Sequence, residues 1–170
     1  MTGKISLILG GARSGKSRFA EKLVVQTDAP RLYLATAQAF DSEMERRIAS
    51  HKQDRGSSWT TIEEPIHLAE ALSLHSAQSN IILVDCLTLW LSNLMGHDLP
   101  IEQEFDKLLT ALSKLPGPVI LVSNEVGQGI VPENALARAF RDHAGKLHQR
   151  IAEISEEVYF ITAGLPQKLK

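Results

Sequence analysis

Residues Gly10, Gly11, Ala12, Arg13, Ser14, Gly15, Lys16 and Ser17 fit the pattern G-x-x-x-x-G-K-[ST], each part of which has a task in holding a nucleoside triphosphate. Glycines let backbone N–H groups curl around an anion, and a helix starting at Lys16 adds partial positive charge from its N-terminus. Lys16 reaches the outer phosphates, and Ser17 offers a hydroxyl to Mg²⁺. The pattern has meaning only between a buried strand and a helix, and the runs Lys4 to Leu9 and Lys16 to Val25 supply both. Asp85 closes the apolar run Ile81-Ile82-Leu83-Val84-Asp85, where a carboxylate holds Mg²⁺ through water or meets the nucleotide directly. Its other reading is a cap for the segment that follows. Glu125 is a second acid, just past another apolar run, and is either a site residue or an exposed loop acid.

A different chemistry is suggested between positions 42 and 55. Met44, Ile48, His51 and Arg55 share one face of a predicted helix, and that face changes from apolar to His and Arg halfway along, with Arg47 and Lys52 flanking. Such a face suits an anionic cavity, although spacing alone equally allows a packed histidine with snorkelling arginines. Among His67, His75, His97, His143 and His148 no pair has the i, i+4 spacing of helical metal ligands, so these read as surface or packing residues. Trp59, Trp90 and Cys86 read as core or interface.

These residues must be held by a scaffold, and the hydrophobic pattern supplies one. Lys4 to Leu9, Arg31 to Ala35, Ile81 to Asp85, Val119 to Ser123 and Val158 to Thr162 read as strands buried on both faces, with Trp59 to Ile62 as a further short one. Helical patterns lie between them: Lys16 to Val25, Ser42 to Arg55, Ile66 to Leu74, Thr88 to Met95, Ile101 to Leu115 and Asn134 to Glu156. Ser42-Glu43-Met44-Glu45 forms a capping box, and Pro116-Gly117-Pro118 ends the apolar stripe of the fifth helix. The alternation predicts an α/β fold of the P-loop NTPase type, a mostly parallel sheet flanked by helices. The 170 residues fit one domain spanning the chain, with a polar tail from Pro166 that frays.

Composition removes several classes of function. With 44% hydrophobic and 22% charged residues the chain is neither disordered nor fibrous. A net charge of −2 argues against a bulk field for nucleic acid or anionic lipid. One cysteine permits no internal disulfide and fits a reducing cytoplasm, and no apolar run is long enough for a membrane span or signal core.

Several segments together resemble one family, the bifunctional adenosylcobinamide kinase / adenosylcobinamide-phosphate guanylyltransferases of cobalamin biosynthesis. The segments are Gly10 to Ser17 with Arg18 and Glu21, Tyr33 to Gln38, Glu43 to Arg55 around His51, and Trp59 with Glu63. Further along come Val84 to Thr88 with Asn93-Leu94, Asn124 to Pro132, and Phe140-Arg141-Asp142 with Gly145 and Gln149. The resemblance implies phosphorylation of the aminopropanol hydroxyl of adenosylcobinamide by ATP or GTP, then transfer of GMP from GTP to give adenosyl-GDP-cobinamide. It also implies that His51 becomes guanylylated. A neutral imidazole can attack an α-phosphate, while Lys52 and Arg55 disfavour the protonated imidazole and stabilise phosphoryl charge.

Further nucleotide contacts implied by the resemblance are Thr36, Ala37, Gln38, Lys52, Gln53, Asp54, Arg55, Glu63 and Asp85, with Mg²⁺ at Ser17 and Asp85. A homo-oligomer, typically a trimer, is implied as well. The chain departs from many relatives in having His148 where they have Asn, and Ser50 where some have a second histidine. Two other readings use the same phosphate loop: a monofunctional kinase of another small metabolite, in which His51 is structural, and a nucleotide-regulated switch.

Overall fold

A computed structural model of the chain describes residues 3–38 and 58–170. The predicted helix Ser42 to Arg55, with His51, Lys52, Gln53, Asp54 and Arg55, lies outside the described residues. The strands are β1 (Ile5–Gly10), β2 (Arg31–Ala35), β3 (Trp59–Glu63), β4 (Ile81–Asp85), β5 (Val119–Asn124), β6 (Glu157–Thr162) and β7 (Leu165–Lys168). The described helices are α1 (Lys16–Val25), α2 (Leu68–His75), α3 (Leu87–Gly96), α4 (Ile101–Leu112) and α5 (Ala135–Ile154).

All seven strands form one sheet in the order β3-β2-β4-β5-β1-β6-β7, parallel except for the antiparallel β6–β7 pair. The expected α/β arrangement is therefore present, with the strand bearing the phosphate loop near the middle of the sheet. Side chains alternate along each strand between two apolar layers. Leu7, Leu34, Ile82, Val84 and Leu121 pack with Leu68, Trp90, Leu94, Phe105, Leu147 and Ile151 of α2 to α5. Ile8, Tyr33, Leu83, Ile120 and Val122 point the other way, to Ala20 and Val24 of α1. Burial on both faces explains why these strands read as continuous apolar runs.

Local chemistry sets the ends of the elements. α4 stops at Leu112, one turn short of the predicted Leu115, because Lys114 and Leu115 bond back three residues, to Ala111 and Leu112, and Pro116 disfavours helix before it. α2 starts at Leu68 rather than Ile66, since the Glu64 carboxylate accepts from the N–H groups of Ile66 and His67 and holds them in a turn. The Asn134 side chain caps α5 by accepting from Ala137 N–H at 3.1 Å. The short run at Trp59 is a genuine edge strand, paired in parallel with β2.

The tail does not fray. Leu165–Lys168 turns back on β6, with Thr162 opposite Leu165 and Tyr159 opposite Lys168. Glu157 accepts from Lys168 at 3.0 Å and pairs with Lys4 at 2.8 Å, so its carboxyl is held below the usual range, first by the bond from Lys4. Lys170 donates to the carbonyls at the end of α5, on Ala152 and Glu153. A polar strand of this kind has no hydrophobic signature; it is held by ladder hydrogen bonds and by charges, and an edge lysine also discourages pairing with another sheet.

Candidate active site

The first residues past β1 build an anion cradle from backbone. Gly15 sits at the N-terminus of α1 with φ 93°, a left-handed conformation that favours glycine, and no side chain caps the helix. The first turn also lacks an acid, so the N–H groups there face outward without competition from a built-in anion. A Cβ at Gly10 would meet Ser14 Oγ at 2.5 Å and Ile161 O at 2.8 Å, which explains the small residue at the point where the strand enters the loop. Lys16 is buried, 9% exposed, and its ammonium donates to Gly11 O at 3.0 Å, so it lies folded over the loop.

The wall opposite comes from the C-terminal hairpin. Gly164 N–H donates to Ser14 O at 2.7 Å, and both Ala163 and Gly164 have positive φ, which makes the tight turn that reaches the loop. Between these walls is a cleft of about 620 Å³ lined by Gly11 to Ser14, by Glu125, Val126, Gln128 and Gly129, and by Phe160 to Ala163. The side-chain hydroxyl of Ser14 is buried there and has no hydrogen-bond partner among the described residues.

Across the sheet, register places two predicted residues in one row, on either side of Ala35: Glu63 lies opposite Ala35, and Ala35 opposite Asp85. With neighbouring strands about 4.8 Å apart, the backbones of Glu63 and Asp85 are about 10 Å from each other at the carboxyl edge. Ala37 and Gln38 follow β2 at the same edge, where ligands of open α/β sheets bind. Thr36 differs from expectation in what it does. It is wholly buried; its hydroxyl donates to Cys86 O at 2.7 Å and accepts from Cys86 N–H at 2.9 Å, while its carbonyl accepts from the Asn93 amide at 2.8 Å. Its polar groups thus clamp the end of β2 to the end of β4 and to α3.

The helix after β4 is capped by Cys86, whose sulfur accepts from Leu89 N–H at 3.5 Å, so the capping role open to Asp85 is filled by its neighbour. Burial pushes the Cys86 thiol up to about 11, and the nearby Asp85 charge adds to this; the thiol stays protonated and is no nucleophile at neutral pH. Trp90 is a core residue that donates its indole N–H to Ile66 O, and Trp59 packs edge-on against Tyr33.

Ser17 and Asp85 offer hard oxygen donors, the type Mg²⁺ takes. Among the described residues no three of His, Cys, Asp and Glu group together closely enough to hold a metal by themselves. The donor set therefore fits an ion held by one or two protein oxygens together with phosphate and water.

One group of residues at the cleft was only partly apparent from the sequence, which left Glu125 open between a site residue and an exposed loop acid and read His148 as surface or packing. Glu125 enters the cleft with its N–H on Gly10 O at 2.9 Å, and His148, read above as a surface or packing residue, lies buried behind it. The His148 Nε2 is 2.7 Å from Ser123 Oγ, which is 3.1 Å from Thr88 Oγ1, and Thr88 Oγ1 accepts from Asn124 N–H at 2.7 Å. Burial lowers the imidazole's pKa, against the opposing charge of Glu125. The hydrogen-bonded partners are 25 to 36 residues apart in sequence, and no spacing rule connects them.

The matches to known proteins span the chain. The family model described as cobinamide kinase / cobinamide phosphate guanyltransferase matches residues 6–169. The "Bifunctional adenosylcobalamin biosynthesis protein CobP" of Pseudomonas aeruginosa is 53% identical over 166 residues, 96% of each chain. Proteins named "Bifunctional adenosylcobalamin biosynthesis protein CobU" from Salmonella typhimurium and Escherichia coli are 43% and 38% identical, each over 96% of this chain and 98% of theirs. With the phosphate cradle in place and the match running from β1 to β7, the chain belongs to the cobinamide kinase / cobinamide phosphate guanyltransferase family.

Proposed function

We propose that the chain phosphorylates the aminopropanol hydroxyl of adenosylcobinamide with ATP or GTP, and then transfers GMP from GTP to the new phosphate to give adenosyl-GDP-cobinamide. The observation that carries this reading is the backbone cradle of Gly10 to Ser17, with buried Lys16 folded over it, in a chain that matches bifunctional relatives over nearly its full length. In the kinase step the loop and the α1 N-terminus bind the phosphates. Lys16 leaves Gly11 O to follow the charge that develops on the transferred group. Ser17 and Asp85 would hold Mg²⁺, which when bound neutralises phosphate charge. Ala37, Gln38, Glu63 and the backbone around Thr36 form the part of the carboxyl edge nearest the nucleoside.

In the guanylyl step the imidazole of His51 attacks the α-phosphorus of GTP, a P–N bond forms and pyrophosphate leaves with the bonding electrons. The phosphate of adenosylcobinamide phosphate then attacks the same phosphorus and releases the histidine. Lys52 and Arg55 stabilise charge in both displacements, with Gln53 and Asp54 between them in the same stretch of the nucleotide contact. No helix among the described residues is long and apolar enough to cross a membrane; the reading places the enzyme in the cytoplasm as a homo-oligomer, a trimer by resemblance.

The experiment is a mass spectrum of the protein after incubation with GTP and Mg²⁺, beside an assay of cobinamide phosphorylation. Wild type should carry one covalent GMP, labile in acid, and His51→Ala should carry none while keeping much of its kinase activity. An adduct on His51→Ala assigns another nucleophile. Phosphorylation without any adduct in wild type leaves a kinase alone.

A further inference from the structure

Among the described residues lining the cleft beside the phosphate loop one is a carboxylate, Glu125, and its position is set from three directions. Its N–H is bonded to Gly10 O, so its backbone moves with the first residue of the loop. Its Oε1 accepts a short hydrogen bond from Gly127 N–H, and its Oε2 lies 3.8 Å from Nδ1 of His148. The side chain remains 21% exposed, open toward the cleft that Gly11 to Ser14 share with it. A carboxylate fixed at the rim of a phosphate cradle, and not in a salt bridge with any Lys or Arg among the described residues, is placed to receive a proton from a hydroxyl attacking the outermost phosphate.

The histidine behind it has a polar environment of its own. The His148 side chain is 8% exposed and its Nδ1 is buried without a hydrogen-bond partner among the described residues, facing Glu125 across a gap slightly too long for a bond. Its other nitrogen ends a chain that begins at a group able only to donate: Asn124 N–H gives to Thr88 Oγ1, which lies beside Ser123 Oγ, which lies beside Nε2. With Thr88 donating to Ser123 and Ser123 to Nε2, the neutral imidazole carries its proton on Nδ1, aimed at Glu125. Two of its members, Ser123 and Asn124, lie on the last turn of strand before Glu125 itself, so the same strand end that presents the acid also anchors the group that orients it.

We propose that Glu125 is the general base of the kinase step and that His148 is the positioning residue that holds its carboxylate toward the cleft; this rests on the kinase half of the function proposed above. As the substrate oxygen bonds to the terminal phosphorus, its proton passes to Glu125. The bond from that phosphorus to the bridging oxygen breaks, the electron pair leaves with the nucleoside diphosphate, and Glu125 returns its proton to solvent through the open cleft.

The test uses the full-length protein with cobinamide and ATP or GTP, following kcat and KM for phosphorylation separately from formation of the GMP adduct. Glu125→Gln, nearly the same shape, should lower kcat on the order of a hundredfold, with KM for nucleotide within a few-fold and the GMP adduct unaffected. Two variants divide the histidine. Asn at 148 places its amide near the Nδ1 position, whereas Gln extends to the Nε2 position and its contact with Ser123. His148→Gln should therefore lose on the order of tenfold in kcat at unchanged KM, and His148→Asn should stay within about threefold of wild type. A Glu125→Gln kcat within fivefold of wild type overturns the base assignment. Equal losses in both His148 variants, or a greater loss in Asn, overturn the positioning role. Thermal melts on each variant identify a loss due to misfolding. Wild type that phosphorylates no cobinamide would instead refute the function proposed above, before any variant is compared.

Discussion

Thr36 connects the stability of the sheet to the placement of the site, so its hydroxyl is the most informative single group to remove. Thr36→Val keeps the shape and volume of the side chain but leaves the buried Cys86 N–H without its partner at 2.9 Å, while the Cys86 carbonyl loses the hydroxyl at 2.7 Å and keeps the Trp90 N–H at 3.2 Å. An unsatisfied buried backbone group costs about 1–3 kcal/mol, and Thr36 has no exposed surface through which water could replace the hydroxyl. With one group orphaned, the expected loss is about 2 kcal/mol. In a chain of this length that corresponds to a fall of roughly 4–8 °C in the melting midpoint. Thr36→Ser retains the hydroxyl and loses one methyl, with an expected cost of about 1 kcal/mol. The assay is urea denaturation and calorimetry of the three proteins, together with nucleotide affinity well below the melt. Since Asp85 directly precedes the clamped residue, the valine protein should also bind Mg²⁺-nucleotide more weakly. A valine variant within 0.5 kcal/mol of wild type would show that the clamp contributes nothing and that the reasoning is wrong.

Three further outcomes follow from the same geometry. Lys16→Ala should reduce phosphorylation of cobinamide on the order of a hundredfold or more, because no other charge of the loop is buried against the phosphate position; steady-state kinetics within a few-fold of wild type would reject its role. Asp85→Asn should shift the Mg²⁺ titration of activity to higher metal concentration with an unchanged melt, since Cys86 rather than Asp85 caps α3. The third concerns pH. Burial lowers the pKa of His148, so below about 6.5 the unfolded imidazole takes up a proton that the folded one refuses. The stability this histidine contributes is present above that pH and is lost as pH falls through it, at up to about 1.4 kcal/mol per pH unit, until the lowered folded pKa is reached. Denaturation curves of wild type and His148→Gln should therefore converge as pH falls below about 6.5, and parallel curves would contradict the buried neutral imidazole.

Most of the scaffold was legible because its signal is local. α1 begins and ends where its sequence says, at Lys16 and Val25, since a phosphate loop in front and Gln26-Thr27 behind leave it no freedom. The parallel strands were legible from continuous apolar runs, which only a sheet covered on both faces accounts for. β7 was not, because Leu165, Pro166, Gln167 and Lys168 carry no apolar alternation. Their order comes from Glu157, from Lys170 and from a turn at Ala163-Gly164, and each of those acts across the chain rather than along it.

The same distinction explains which parts of the site could be read. A phosphate loop is a contiguous device, so eight adjacent letters describe it, and Asp85 is found by counting to the end of its strand. Thr36 was named only through a family likeness, and its hydroxyl holds two strand ends together. The group around Glu125 is the opposite case, assembled from α3, the end of β5 and the middle of α5. A serine, a threonine and a histidine so placed look in sequence like ordinary helix and strand residues. Only the fold shows that Ser123 lies 2.7 Å from His148 where both are buried, and burial is what gives the arrangement consequence. In water each hydroxyl would turn to solvent, whereas at this strand end the hydroxyls of Thr88 and Ser123 have each other and the imidazole as partners, and that imidazole faces a carboxylate bordering the phosphate cleft.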